Sequence, residues 1–236
     1  MPFQLSEVTS VSDFDLIMPV LFRSFHQPYN TLSKFFNPIH TTPEAAIEAS
    51  KERQISLWKS NPACHWLKVT ETDSAQIVGA ASWFVNVAVK PPSAEKKPFQ
   101  AKWHIEGSDE KAFAEKLIGG LIEFGAARMT RPHLELGQLV VDPDHRLQGI
   151  GGMLLQWGVA KADELELETV VKSVPFAVPM YKRRGFGAVE QIDIDFSVPE
   201  PSEKWKDYQS EDLRVFFMWK PSGRDYQEGE PLPWKN

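Results

Sequence analysis

The stretch His145-Arg146-Leu147-Gln148-Gly149-Ile150-Gly151-Gly152-Met153-Leu154-Leu155 constrains this chain more than any other. It joins an apolar run, Leu134 to Val141, to an amphipathic helix through a loop almost bare of side chains. Asp142-Pro143-Asp144 ends the strand. The glycines then leave backbone N–H groups uncovered at the first turn of the following helix, where the positive end of its macrodipole also points. The layout predicts a site for a pyrophosphate.

Three phosphate-loop patterns compete, and spacing separates them. A Walker loop needs Lys and then Ser or Thr after its last glycine, but Met153 and Leu154 follow Gly152. A dinucleotide fingerprint needs a small residue three positions after Gly151, where Leu154 stands. The remaining pattern, Arg146-x-x-Gly149-x-Gly151, resembles the acyl-CoA loop of the GCN5-related N-acetyltransferases, the GNAT family, written Gln/Arg-x-x-Gly-x-Gly/Ala. Its flanks agree: Leu139-Val140-Val141 precede it, and Pro179-Met180-Tyr181-Lys182-Arg183-Arg184-Gly185-Phe186 resembles the family's helix end beside the thioester. Ile77-Val78-Gly79 is similar to the family's third strand.

Composition excludes several other classes. With 42% hydrophobic and 25% charged residues, the 236-residue chain reads as an ordinary globular protein. A net charge of -6 argues against a nucleic-acid surface and would favour cationic substrates such as amines. One cysteine, Cys64, rules out an internal disulfide framework and a thiolate zinc site, and the six histidines show no ligand spacing, so no metal is expected. No signal-peptide pattern or membrane span is visible, and the expected location is the cytoplasm. Oligomeric state is left open.

Along the chain, Phe3 to Val8 alternates as a strand, and Ser12-Asp13 offers an N-cap for a helix to about His26 that contains Pro19. Residues 27–43 are expected to be a loop whose aromatics Tyr29, Phe35 and Phe36 either pack or line a substrate entrance. Thr42-Pro43-Glu44 starts a helix to about Lys59, and a hairpin follows over His65 to Thr70 and Gln76 to Val85. The Pro- and Lys-rich segment around Lys90 to Trp103 reads as an exposed insertion, near 86–107. Ser108 caps a helix reaching about Met129. After the glycine loop come a helix to about Leu167, a strand Thr169 to Lys172, a short helix near Val178 to Arg184, and strands over Ala188 to Phe196 and Leu213 to Trp219. From about 221 the tail has little to bury. The order predicts one α/β domain over 1–236, a mixed sheet flanked by helices. The resemblance specifies a GNAT fold, its central, mostly antiparallel sheet splayed between strands 4 and 5.

The resemblance further implies acetyl-CoA, or another short acyl-CoA, as cosubstrate, with no metal. Leu139, Val140 and Val141 would offer backbone groups to the pantetheine arm. The N–H groups of Leu147, Gln148, Gly149, Ile150, Gly151 and Gly152 would hold the pyrophosphate, with Arg146 opening the motif. Tyr181 would donate a proton to the departing sulfur. Where the family often has Asn or Ser seven residues before that Tyr, this chain has Val174, so Ser173 is the candidate for the contact. Glu135 falls where the histone-acetylating members place their catalytic glutamate. Strand alternation puts it opposite Gln138, and a solvated edge carboxylate is the competing reading. His133 and His145 read as surface or loop residues. The implied activity is N-acetylation of a primary amine, with a small-molecule acceptor favoured. A non-catalytic acyl-CoA-binding module of the same fold and a protein lysine or N-terminal acetyltransferase stay open.

Overall fold

The computed structural model describes residues 2–27, 29–88 and 98–235. The elements run β1 (Phe3–Glu7), α1 (Asp13–His26), α2 (Ser33–Phe36), α3 (Pro43–Ser60), β2 (Cys64–Glu71), β3 (Ile77–Asn86), α4 (Asp109–Arg128), β4 (His133–Val141), α5 (Ile150–Glu164), β5 (Glu168–Ser173), α6 (Val178–Lys182), β6 (Gly187–Gln191), α7 (Glu203–Ser210) and β7 (Phe216–Lys220). The seven strands form one sheet in the order β1-β2-β3-β4-β5-β7-β6. Among the described residues only the β4–β5 pair is parallel. Among the described residues no helix is long and apolar enough to cross a membrane.

Side-chain caps set three of the helix starts among the described residues. Thr42 accepts from the Ala45 N–H ahead of Pro43, and Ser108 accepts from the Lys111 N–H. Ser12 does not cap α1: its backbone is already helical, and its hydroxyl lies 2.7 Å from the Ser10 hydroxyl. Pro19 sits inside α1. Helix α7 has no counterpart in the sequence expectations, although Ser202 caps it by accepting from the Trp205 N–H. Strand β6 ends at Gln191, not Phe196.

Helix α5 covers one sheet face, where Trp83, Leu134, Leu136, Leu154, Leu155 and Met218 form a core. The other face carries two. Helix α1 packs Phe14, Ile17, Met18 and Leu21 with Trp66, Ala80 and Val140. Helices α2, α4 and α7 bring Phe35, Phe113, Leu117 and Trp205 to Val170, Phe217 and Trp219. Between these two cores the sheet face is open at the middle of β4.

Of the loop aromatics expected either to pack or to line an entrance, Phe35 packs, and parts of two segments expected at the surface are packed as well. Phe35 is fully buried between Phe113 and Tyr208. Residues 89–97 of the expected insertion lie outside the described residues. Just after them, Ala101 and His104 are buried, and the Trp103 indole and His104 ring each bond the Phe35 carbonyl at 2.9 Å. The tail is largely exposed, but Trp234 packs edge-on to Phe217 and Trp219 and lies beneath Arg131.

Helix α5 approaches the sheet closely at Gly158, where an added Cβ would lie 2.2 Å from Trp83 Cζ2. Trp83 is fully buried and its indole donates to the Leu154 carbonyl at 3.2 Å, so the ring cannot retreat without losing that bond. Gly158→Ala is expected to destabilise the fold by about 1–3 kcal/mol through overpacking. Denaturant unfolding checks this, and an unchanged midpoint would show that the ring has room to move.

Candidate active site

The apolar run that ends in the glycine loop becomes β4, and its second half opens the sheet. From His133 to Leu136 it pairs with Glu168 to Val171 of β5, whereas from Gly137 to Val141 it lies against β3 alone. The main-chain groups of that half facing β5 have no strand partner among the described residues, and such groups require one. The expected splay between the fourth and fifth strands is therefore present.

A bulge sits at the opening. Leu136 lies opposite Trp83 and Gln138 opposite Ser82, so Gly137 has no partner. A Cβ there would come within 2.6 Å of Phe84 Cε2 and 2.8 Å of Ser82 Oγ, so only glycine fits without displacing them. The extra residue reverses the alternation: Leu134 and Leu136 before it, and Leu139 and Val141 after it, all pack on the α5 side. Val140 packs on the α1 side. Glu135 and Gln138 therefore share a face, which corrects the expectation that they lie opposite each other.

A cavity of about 340 Å³ passes through the opening. Glu135, Gln138, Lys172, Ser173 and Val174 line it together with Phe25, Asn30 and Asn37 from the α1–α2 segment, Leu121 and Ile122 of α4, the exposed Phe176, and Leu139 and Tyr181 from the α5 side. The Glu135 carboxylate is ion-paired with the Lys172 ammonium. Gln138 Oε1 is buried and unpartnered among the described residues. Tyr181 is buried, with its ring edge-on to Phe186 at 5.9 Å. Burial pushes its phenol well above the ordinary value, so it stays protonated across the physiological range. The Tyr181 hydroxyl makes no hydrogen bond among the described residues. Ser173 is buried and donates to the Val174 carbonyl at 3.0 Å.

The glycine loop lies at the end of β4. Asp142 accepts from the Asp144 N–H at 3.0 Å and starts a single 3-10 turn over Pro143–His145. Gly149, at φ 89°, is the N-cap of α5, and no side chain caps that helix. Leu147, also at positive φ, is fully exposed, and Gln148 is exposed. Ile150 is buried against β4, while Gly151 and Gly152 are part-exposed. The first-turn N–H groups of α5 are thus free of side-chain partners, as an anion cradle requires.

Arg146 points elsewhere. Its guanidinium donates to the carbonyls of Gln27 and, at 3.0 Å, Ser24, at the C-terminal end of α1. There it satisfies carbonyls that the helix leaves open and complements its dipole. Ser24 Oγ donates to the Val141 carbonyl at 2.8 Å, and Arg23 pairs with Asp142 and Asp144, so α1 is pinned to the loop from three directions. His133, expected at the surface, is buried: Nδ1 lies 2.8 Å from the Arg131 carbonyl and Nε2 3.2 Å from the Asn86 amide. His145 lies 3.3 Å from Asp142, and neither histidine lines the cavity. Sequence reasoning missed Lys172, although a lone charge among Thr169-Val170-Val171-Lys172 was a signal for it.

A parallel pair thus parts over a cavity beside a helix N-terminus that no side chain caps. The family model described as the Acetyltransferase (GNAT) family matches residues 26–186, and this chain belongs to that family. No curated protein matches the sequence significantly. Among solved structures, the chain is similar to the histone acetyltransferase HPA2 and related acetyltransferase from Corynebacterium glutamicum, at 18% identity and TM-score 0.57, covering 96% of this chain and 100% of that one. It is also similar to mosquito arylalkylamine N-acetyltransferase like 5b, at 13% identity and TM-score 0.58, covering 92% and 99%. A phosphinothricin acetyltransferase from Sinorhizobium meliloti, solved in complex with AcCoA, matches at 14% identity and TM-score 0.53, covering 97% and 95%. At these identities the likeness establishes the fold.

Proposed function

We propose that this chain is an N-acetyltransferase that moves the acetyl group of acetyl-CoA to the primary amine of a small molecule, by direct attack on the thioester. The cavity through the β4–β5 opening carries this reading, because it sets Glu135 on one side of the opening and Tyr181 on the other. The main chain over Leu139, Val140 and Val141, which has parted from β5, suits a pantetheine arm through the groups that β3 and Ser24 leave open. The uncapped N–H groups from Leu147 to Gly152 suit its pyrophosphate. Arg146 contributes by holding α1 against that loop, and Ser173 by lining the cavity beside β5. The cosubstrate supplies an activated carbonyl.

An amine of pKa about 10.4 is almost wholly protonated at neutral pH, and freeing it costs about 4–5 kcal/mol. Glu135, once released from Lys172, takes one proton from the ammonium. Tyr181 gives a proton to the departing sulfur and is restored by the second proton that the nitrogen loses as the amide forms, so the sum is one amide, one free thiol and one proton held by Glu135. We take residues 1–236 as one domain, and the single cysteine, Cys64, which is buried and free, fits a reducing location such as the cytoplasm.

Mass spectrometry of an amine panel incubated with acetyl-CoA tests the reading. Acetylated amine supports it, whereas CoA binding with no acetylated product would identify a non-catalytic binding module. Glu135→Gln is expected to lower turnover most at low pH and to lose its effect as pH approaches the acceptor's own pKa, where free amine needs no base. A defect equal at every pH in the pH–rate profile would assign Glu135 a structural role.

A further inference from the structure

Only one acidic and one basic side chain line the cavity among the described residues, and they are paired with each other. Lys172 follows Val171 on β5 and so faces the Glu135 side of the sheet. Its stem lies along α4 at Gly125, where an added Cβ would stand 3.1 Å from both Lys172 Cε and Nζ. The missing side chain at Gly125 gives the ammonium its place. Lys172 and Glu135 are each partly buried, at 20% and 29% side-chain exposure, so water screens the pair less than it would an exposed one.

From this pair we infer that the acceptor is an α-amino acid with an apolar side chain, its ammonium on Glu135 and its carboxylate on Lys172. The inference rests on the reading above that Glu135 receives the acceptor amine. A simple alkylammonium would compete with Lys172 for one carboxylate, leaving one of two neighbouring cations unpaired, and an unpaired buried charge is strongly unfavourable. A zwitterion enters without that conflict, because it exchanges one ion pair for two and leaves the cavity neutral. Gln138 Oε1, buried without a partner on the same face as Glu135, offers the ammonium a second acceptor. Leu121, Ile122, Phe36 and Phe176 form an apolar part of the remaining wall that suits a hydrocarbon side chain, beside the polar Asn30 and Asn37. Lys172 is thus a specificity-determining residue for the proposed reaction.

The test compares kcat/KM with acetyl-CoA for L-phenylalanine and L-leucine against their decarboxylated counterparts, 2-phenylethylamine and 3-methylbutylamine. The amino acids are expected to win by at least about tenfold, since losing the carboxylate leaves Lys172 unpaired. Lys172→Gln should raise KM for the amino acids by about tenfold or more with kcat little changed, and should improve the amines. Lys172→Arg should keep the preference, which separates a charge effect from damage to the fold. A wild-type preference for the amines overturns the inference, as does an equal loss for both classes in Lys172→Gln. Acetylation of amines without amino-acid preference overturns this inference alone. Calorimetric CoA binding with no acetylated amino acid also overturns it, whereas absence of CoA binding overturns the proposed function as well.

Discussion

Turnover by Tyr181→Phe is expected to fall about a hundredfold, the lower end of what a positioned acid contributes. A thiol of pKa about 8.5 is already a fair leaving group, so its protonation matters less than positioning. The substitution removes one atom from a side chain that is otherwise packed: the ring keeps its edge-on contact with Phe186. Because the hydroxyl has no hydrogen bond among the described residues, removing it breaks no internal bond, and the melting temperature should stay nearly unchanged. CoA affinity should also persist. Steady-state kinetics beside a thermal melt decide the matter. A lowered melting temperature with normal turnover of the folded fraction would make the hydroxyl structural and remove Tyr181 from the site.

Gly151→Val is expected to weaken CoA binding by at least about a hundredfold, or ~2.7 kcal/mol. An added Cβ would lie 3.5 Å from Met180 Sδ, 3.6 Å from Val141 Cγ2 and 3.7 Å from Leu139 Cδ2, which are ordinary contacts. One carbon therefore fills the slot between β4 and α6, and the two further carbons of valine crowd it beside the first-turn N–H groups. Gly151→Ala should keep the wild-type melting temperature and serves as the control for folding. Titration calorimetry with CoA reads the effect directly. Unchanged affinity in folded Gly151→Val would mean that the glycines serve only the turn, and the proposed donor site would be lost.

What the sequence determined by itself was local. The loop from Asp142 to Gly152 and the caps at Thr42 and Ser108 were readable because each depends on residues within three or four positions of one another. The apolar runs that became β2 to β5, and the element order that placed the parallel pair beside the glycine loop, were readable for the same reason. Ser202, which caps α7 by accepting from the Trp205 N–H, is an equally local signal.

Tertiary structure alone decided how the site is wired. The bulge at Gly137 arises from a register slip against β3, so alternation along β4 could not show that Glu135 and Gln138 share a face. Arg146 reads as part of a phosphate loop, yet its guanidinium reaches the end of α1, more than a hundred residues earlier in the chain. The pairing of Glu135 with Lys172 depends on where β4 and β5 lie side by side, with Gly125 of α4 leaving room beside them. His104 and Trp234 look like surface residues in sequence and are packed because α2, α4 and β7 meet beside them. A side chain's neighbours within a strand or turn are set by covalent spacing, whereas its neighbours across the sheet are set by packing, and the chemistry of this site lies in the second set.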